Sequence, residues 1–266
     1  MNLPNISVVV PTHNSEKTIK TTIESVLNQN FHDFEIIIIN DGSDDSTLDI
    51  ISKIHDSRIK ILTYSKAGAN VSRNRGLSHA VGKFVSFLDA DDIWTSDKLQ
   101  SQIKALLDNP EAAVSYSWTD YIDENDKFVV TGTHMTVNGN VYEELLLTNF
   151  LENGSNPLIR KEALVELGGF DESLNAGQDW DMWLRLAAKC NFVAVPKVQI
   201  LYRISSNSLS SNLARQEQAC LQILKKAYQL KSPINKKNLS ISLANLYKYL
   251  TCKALQKPYN RHKAFT

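Results

Sequence analysis

The first ninety residues alternate, with little spare chain, between short apolar runs and helical patterns about ten residues long. Ile6–Val10 reads as a strand. Ser15 then sits where an N-cap belongs, ahead of Ile19, Ile23, Val26 and Leu27 at helical spacing. Glu35–Asn40 is the second strand, and a helix near Ser46–His55 turns Leu48, Ile51 and Ile54 inward. Arg58–Tyr64, a helix at Val71–Ala80 and a fourth strand at Lys83–Leu88 complete the series. Strands alternating with helices of this length require βαβ units with right-handed crossovers, and so an α/β fold with a mostly parallel sheet flanked by helices. The strands are continuously apolar because helices cover both of their faces.

Two of these strands end in acid. Ile36–Asn40 runs into Asp41-Gly42-Ser43-Asp44-Asp45, and Phe84–Leu88 runs into Asp89-Ala90-Asp91-Asp92. Open α/β sheets bind ligands at the carboxyl ends of their strands. Asp89 and Asp91, two residues apart in extended chain, point the same way. Hard oxygen donors of this kind suit Mg2+ or Mn2+, which complete their shells with water and phosphate. Each acidic segment also reads as a turn capping the next helix, a role that suits Asp45 or Ser46. Asp41 lies nearer its strand end and is better placed for a ligand. Two acidic strand ends on one edge point to a pocket for a metal-bound, phosphate-bearing ligand.

The second half is less regular. Lys98–Asp108 reads as a helix, Ala113–Trp118 as a strand, and residues 120–140 as a polar excursion with a hairpin that includes Phe128–Thr131. Helices follow at Tyr142–Asn149, Lys161–Leu167 and Trp180–Lys189, the last with Trp180, Trp183, Leu184 and Ala187 on a core-facing stripe. Phe192–Val195 and Val198–Tyr202 return as strands. Beyond Ser210 the pattern is helical. Leu213, Cys220, Leu221, Leu224 and Tyr228 share one face; past Pro233, Leu239, Leu243, Leu246, Tyr247, Leu250 and Ala254 share another.

Net charge is zero but unevenly placed: residues 225–266 hold ten Lys/Arg and no acid, the remainder nineteen bases against twenty-nine acids. Such asymmetry marks either an anionic partner, such as a membrane surface, or a tail that docks on its own acidic body. The three cysteines match neither a disulfide framework nor a zinc pattern, and Ile6–Val10 is too short for a signal peptide or membrane span. A reduced, cytoplasmic location is expected.

Val8-Val9-Val10-Pro11-Thr12-His13-Asn14, Asn40-Asp41-Gly42-Ser43-Asp44-Asp45-Ser46-Thr47, Arg73-Asn74-Arg75-Gly76-Leu77 and Asp89-Ala90-Asp91-Asp92 together resemble, in order and spacing, the family 2 glycosyltransferases. Gly168-Gly169-Phe170-Asp171-Glu172 and Gln178–Arg185 are similar to that family's acceptor-side segments. The resemblance covers about residues 4–205 and implies a GT-A fold. It divides the chain into a GT-A domain over 1–210, with a nucleotide-binding half (1–92) and an acceptor-side half (93–210), and a basic helical tail over 211–266. By position it implies that Pro11 and Thr12 line the nucleotide pocket and that Asp41 accepts a hydrogen bond from the base. Arg73 would lie near the diphosphate or ribose, with Asp89 on the ribose. Asp91 would hold Mn2+ or Mg2+, and Asp179 would be the general base of an inverting transfer.

The implied donor is a nucleotide-sugar, UDP-linked, and the acceptor a glycan or lipid-linked hydroxyl, in polysaccharide or glycoconjugate synthesis. Peripheral contact with the inner membrane face through 225–266 is expected, and no nucleic-acid partner. Two positions depart from the family pattern. Gln178 stands where Glu is common, which keeps hydrogen bonding but removes a charge. Ile204-Ser205-Ser206-Asn207 follows Tyr202-Arg203 where a metal-binding histidine is common, leaving the metal to Asp91, diphosphate and water, or to Asn207 as well. A catalytically inactive nucleotide-sugar-binding module is the alternative, favoured by Gln178. A nucleotidyltransferase would need a glycine-rich phosphate loop, and residues 11–20 contain no glycine.

Overall fold

The computed structural model describes residues 3–205, 212–230 and 236–256, with side chains of the last segment described over 238–255. Asn207 and Pro233 lie outside the described residues. Four parallel strands open the chain: β1 (Ile6–Thr12), β2 (Phe34–Asp41), β3 (Ile59–Tyr64) and β4 (Phe84–Phe87), joined by helices α1 (Ile19–Leu27), α2 (Thr47–Ser52) and α3 (Ala69–His79). Burial explains their composition. Val8, Val10, Ile36 and Ile38 enter one hydrophobic cluster, while Val9, Ile37 and Ile39 enter the other, on the opposite face. Pro11 fits inside β1 because its carbonyl side alternates with Val9, whose oxygen accepts Leu88 N–H from the β4 side; β4 has already ended where Pro11 would need to donate.

The remaining elements are β5 (Ile93–Trp94), α4 (Lys98–Asp108), β6 (Ala112–Ile122), β7 (Phe128–Thr131), α5 (Tyr142–Leu147), β8 (Leu158–Arg160), α6 (Lys161–Glu166), α7 (Gln178–Ala187) and β9 (Asn191–Arg203). The strand order is β3-β2-β1-β4-β8-β6-β9-β5, with β7 paired to β6. The sheet is mixed: β6 and β9 are parallel, whereas β8 is antiparallel to β4 and β6, β7 to β6, and β5 to β9. Only Leu88–Asp92 separate β4 from β5, yet three strands lie between them in the sheet. That distance is about 19 Å in a flat sheet, whereas the connection folds into a turn, with Asp92 N–H donating to Asp89 O at 3.1 Å, and so spans less; the sheet must curl back on itself. Trp94 N–H donates to Ser25 Oγ of α1 at 3.3 Å, which places the far edge beside the first helix.

Several local expectations change. Helix α1 begins at Ile19 with Thr18 at its N-cap; Ser15 instead opens the preceding turn, its carbonyl accepting Thr18 and Ile19 N–H. Leu48 is exposed, because the six-residue α2 buries only Thr47 and Ile51. The two strands expected at 192–195 and 198–202 are one, with a register shift opposite Ser117–Trp118 that absorbs Pro196. The α7 stripe is core: Trp180, Trp183, Leu184 and Ala187 are all buried.

Helices α8 (Leu213–Leu230) and α9 (Lys236–Gln256) pack into the same cluster as α5 and α7. Of the expected faces, Cys220, Leu224, Leu246, Leu250 and Ala254 go inward, joined by Ala219, Ile223 and Ala227, while Leu221, Leu239 and Tyr247 are exposed. Tyr142 Oη donates to Ala227 O at 2.6 Å, Lys226 pairs with Asp171, and Ser242 Oγ and Asn245 Nδ2 donate to Leu146 O and Leu147 O at 2.8 and 3.0 Å. These contacts dock both helices on the chain's own body.

Candidate active site

The parallel strands deliver Asp41 (β2), Thr12 (β1) and Asp89 (after β4) side by side at one sheet edge. At about 4.8 Å per strand step, Asp41 and Asp89 lie about 10 Å apart along it. Strand β6 runs parallel to β4 through the antiparallel β8, so Asp120 and Tyr121 join the same edge, and Arg203 of β9 beside them.

Asp89 is held at both ends. Its backbone N–H donates to Ser155 Oγ at 3.0 Å, and its Oδ1 accepts Arg73 Nη2 at 2.5 Å. Arg73 is buried on α3, stacks 5.4 Å from the Phe170 ring, and leaves its buried Nε without a partner. A Cβ on Gly154 would lie 3.4 Å from Arg73 Nη2 and 3.6 Å from Asp89 Oδ2, so the 153–155 turn presses directly on this pair.

Asp91 and Asp92 divide their work. Asp92 is fully buried, accepting Ser155 Oγ–H at 2.5 Å and Arg203 N–H at 3.1 Å; burial, then Asp91 and Asp89, push its carboxyl well up. Asp91 is half-buried in the turn, and its backbone oxygen accepts Arg203 Nε at 2.9 Å. Burial first, and the charge of Asp89 second, raise its carboxyl to about 6. Such a pair gains from a divalent cation, which relieves the repulsion. Among the described residues no three His, Cys, Asp or Glu form a ready-made metal cage. The donor set therefore fits a Mg2+- or Mn2+-type ion held by Asp91 and completed by ligand phosphate and water. Beneath the loop, Lys98 is buried, donating to Ser86 Oγ at 2.7 Å with its ammonium 3.6 Å from the Trp94 ring centroid, and Trp94 Nε1–H donates to Ser155 O at 2.9 Å.

Asp179 stands in the first turn of α7 and interacts electrostatically with both Arg73 and Asp89. Trp180 N–H donates to its Oδ1 at 2.9 Å, and burial raises its carboxyl above the ordinary range. Arg73 and Asp89 thus lie within electrostatic reach of both Asp91 and Asp179. Asp181 is not part of this group: it is buried and paired with Arg185 at 2.7 Å.

Thr12 and Asp41 sit farther along the edge. Thr12 is buried and its Oγ1 has no partner. Asp41 is already engaged, accepting Ala67 and Gly68 N–H at 2.9 and 2.7 Å and Arg75 Nη1 at 3.3 Å. Of the four or so acceptor positions of a carboxylate, about one remains for a ligand. In the neighbouring loop Asp45 Oδ1 accepts Thr47 N–H, doing the capping work, while Asn14 Nδ2 donates to Asp44 Oδ1 at 2.6 Å.

Sequence reasoning left Asp92, Ser155 and Arg203 without a role. Ser155 and Arg203 lie 63 and 111 residues from Asp92, and no local pattern links them. Beside Asp120 at the same edge, the His134 ring stacks on Trp118 at 4.8 Å and contacts Asp120 at 2.8 Å.

Residues 7–254 match the family described as Glycosyltransferase like family 2, so the match continues through α8 and most of α9. Two bacterial relatives are similar over most of their length. The Escherichia coli UDP-Glc:alpha-D-GlcNAc-diphosphoundecaprenol beta-1,3-glucosyltransferase WfgD is 33% identical over 216 residues, covering 78% of this chain and 80% of the relative. The Bacillus subtilis putative teichuronic acid biosynthesis glycosyltransferase TuaG is 32% identical, covering 79% and 82%. Among solved structures, S. aureus TarS 1-349 in complex with UDP-GlcNAc superposes with a TM-score of 0.76 at 19% identity, covering 98% of this chain and 78% of that 1-349 chain. The mannosyltransferase PcManGT from Pyrobaculum calidifontis, in complex with GDP-Man and Mn2+, gives 0.68 at 19% identity, covering 95% and 72%. With its α/β sheet, acidic strand ends and these matches together, the chain belongs to the glycosyltransferase-like family 2 and is a glycosyltransferase of GT-A fold.

Proposed function

We propose that this enzyme moves a sugar from a nucleotide-sugar, UDP-linked, to a hydroxyl of a glycan or lipid-linked acceptor, with inversion at the anomeric carbon. The observation that supports the reading is the Arg73–Asp89 ion pair at the sheet edge, within electrostatic reach of both Asp91 and Asp179. The UDP-glucose donor and diphosphoundecaprenol-linked acceptor named for the E. coli relative support the substrate classes.

In this reading Pro11 and Thr12 line the nucleotide pocket, and Asp41 offers its remaining acceptor position to the base. Arg73 and Asp89 hold the ribose–diphosphate region. A divalent ion on Asp91, Mn2+ or Mg2+, would supply Lewis-acid stabilisation of the departing diphosphate. Asp179 takes the proton of the acceptor hydroxyl. Oδ1 is fixed by the Trp180 amide, which leaves Oδ2 for the acceptor, and the raised proton affinity makes it a better base. Attack from its side, opposite the leaving group, inverts the anomeric carbon.

No helix among the described residues is long and apolar enough to cross a membrane. We place the enzyme at the cytoplasmic membrane face, where bases of 225–266 each contribute about 1 kcal/mol near anionic lipid. Protein that stays in the supernatant of anionic vesicles at low salt would refute that contact.

The test of the main reading is thermal melting against UDP, GDP, dTDP and CMP, each with and without Mn2+, followed by transfer assays with Asp179→Asn. Stabilisation by one diphosphate only with metal, and turnover reduced about 10²–10⁴-fold in the variant with nucleotide binding kept, is the expected result. A melt that no nucleotide shifts refutes it. Nucleotide binding without transfer to any acceptor favours the binding-module alternative.

A further inference from the structure

The turn that presses on Arg73 and Asp89 begins at a residue in an unfavourable conformation. Glu152 has φ +70°, and among the described residues with positive φ it is the one that is not Gly, Asn, Asp or His. Backbone strain of this kind persists only where the surroundings over-determine it, and it gathers at functional sites. Here the carboxylate supplies the constraint. Its Oε1 accepts Thr133 N–H at 3.0 Å and Tyr121 Oη–H at 3.2 Å. Its Oε2 lies against Gly132, where an added Cβ would stand 2.3 Å from that oxygen and 2.4 Å from Thr119 O.

The segment that receives Glu152 is a strap, residues 132–137, laid along β6. Gly132 N–H donates to Thr119 O at 3.0 Å, Trp118 Nε1–H to Met135 O at 3.3 Å and Tyr116 Oη–H to Val137 O at 2.9 Å. The next three residues after Glu152 reach the acids. Asn153 Nδ2 donates to Thr119 Oγ1 at 3.0 Å, and its Oδ1 accepts Ser155 N–H at 3.1 Å. Gly154 packs on the Arg73–Asp89 pair, and Ser155 Oγ bonds both Asp92 and the Asp89 amide. One short turn therefore has its first side chain on the sheet and strap and its last on the acidic segment. Burial lifts the Glu152 carboxyl to about 7 while Thr133 and Tyr121 draw it down, so an uncharged carbonyl oxygen can serve the same two donors.

We propose that Glu152 is a positioning residue for the donor site: its carboxylate locks the 153–155 turn and so sets the Asp89–Asp92 segment for metal and diphosphate. This rests on the transferase reading above and adds to it a residue away from the acidic strand ends. Glu152 touches no substrate and acts through Gly154 and Ser155.

The experiment uses Glu152→Gly, because glycine accepts φ +70° and the variant keeps the backbone while losing the carboxylate. In metal-free protein, amide hydrogen exchange at 153–155 and at Asp89 should quicken about tenfold. The gain in UDP affinity brought by Mn2+ should fall about tenfold, and UDP affinity without metal should change by less than about twofold. Glu152→Gln, which keeps an oxygen for Thr133 and Tyr121, should restore both readouts. In a Ser155→Ala background Glu152→Gly should add less than about twofold, because both act through one turn. A Glu152→Gly protein that exchanges and binds as wild type overturns the inference. So does an equal loss of UDP binding with and without metal, which marks general damage, or an effect that simply adds to that of Ser155→Ala. A wild-type enzyme whose UDP binding gains nothing from metal refutes the metal-assisted transferase reading instead, and the exchange rates then decide whether Glu152 holds the turn.

Discussion

Replacing Gly76 by Ala tests how the Arg-Asn-x-Gly-Leu segment serves the site. Gly76 lies on α3 where the helix meets β1. A Cβ there would stand 2.2 Å from Val9 Cγ1, 3.1 Å from its Cγ2 and 3.2 Å from its Cβ. Ordinary contact begins at about 3.4 Å, so a gap of about 1.2 Å must open. Rotating Val9 does not help, because all three of its outer carbons crowd the same point and its χ1 is stiff. Val9 is fully buried between Ile37 and Phe87 in the sheet, so the helix must lift. Overpacking costs about 1–3 kcal/mol, and the better helix propensity of Ala returns up to about 1. A net loss of about 1–2 kcal/mol lowers Tm by about 2–8 °C. Arg73, one turn earlier, reaches Asp89 at 2.5 Å; a lift of about 1 Å stretches that contact to the limit of a hydrogen bond. Misplacement on this scale costs about 10²-fold in turnover. Chemical denaturation and UDP-release kinetics measure both effects. Adding Val9→Ala to Gly76→Ala makes room and should recover activity without recovering stability. A Gly76→Ala enzyme with wild-type melting and turnover would refute the argument.

Three further predictions follow from the same geometry. Because burial raises the Asp179 carboxyl, the acid limb of the kcat–pH profile should lie above the ordinary Asp range; a limb at or below that range removes Asp179 as the base. Ser155→Ala strips the hydroxyl that bonds both Asp92 and the Asp89 amide and should cost about 1–3 kcal/mol in urea unfolding, together with metal-dependent UDP binding; unchanged binding would show that the loop holds its shape without it. Arg58 holds Asp56 at about 2, below the ordinary 3.8, so this pair stabilises the fold above about pH 4 and the gain disappears as pH falls through 2; Asp56→Asn should remove at most about 2 kcal/mol at pH 7 and flatten that part of the pH–stability curve.

How much of this could be read from the chain depended on whether partners were near in sequence. The β2 run Ile36–Ile39 and its acidic end identify a buried strand and its ligand edge unaided, because a strand and its following turn are continuous in sequence. Asp-x-Asp likewise places Asp89 and Asp91. What escaped were properties set by distant chain. Asp41 looked open to a base, but Ala67 and Gly68, 26 and 27 residues on, fold back onto its carboxylate. In α8 the counting of large apolar residues chose Leu221, which is exposed, whereas Ile223 turns inward against Gly177 at the start of α7, where an added Cβ would stand 2.7 Å from its Cδ1.

The curl of the sheet has a consequence for the timing of catalysis. Leu88–Asp92 leaves the sheet at a central strand and re-enters it at the opposite edge, so both ends of the acidic segment are anchored by hydrogen-bonded backbone. A segment anchored at both ends and closed by its own turn, Asp92 N–H on Asp89 O, resists recoil when an anionic diphosphate arrives or departs. The work of crowding three carboxylates together is done once, when the chain folds, and is not repeated at each turnover. Motion during the cycle then belongs to what surrounds the bridge, and the bridge itself serves as the fixed reference against which donor and acceptor are aligned.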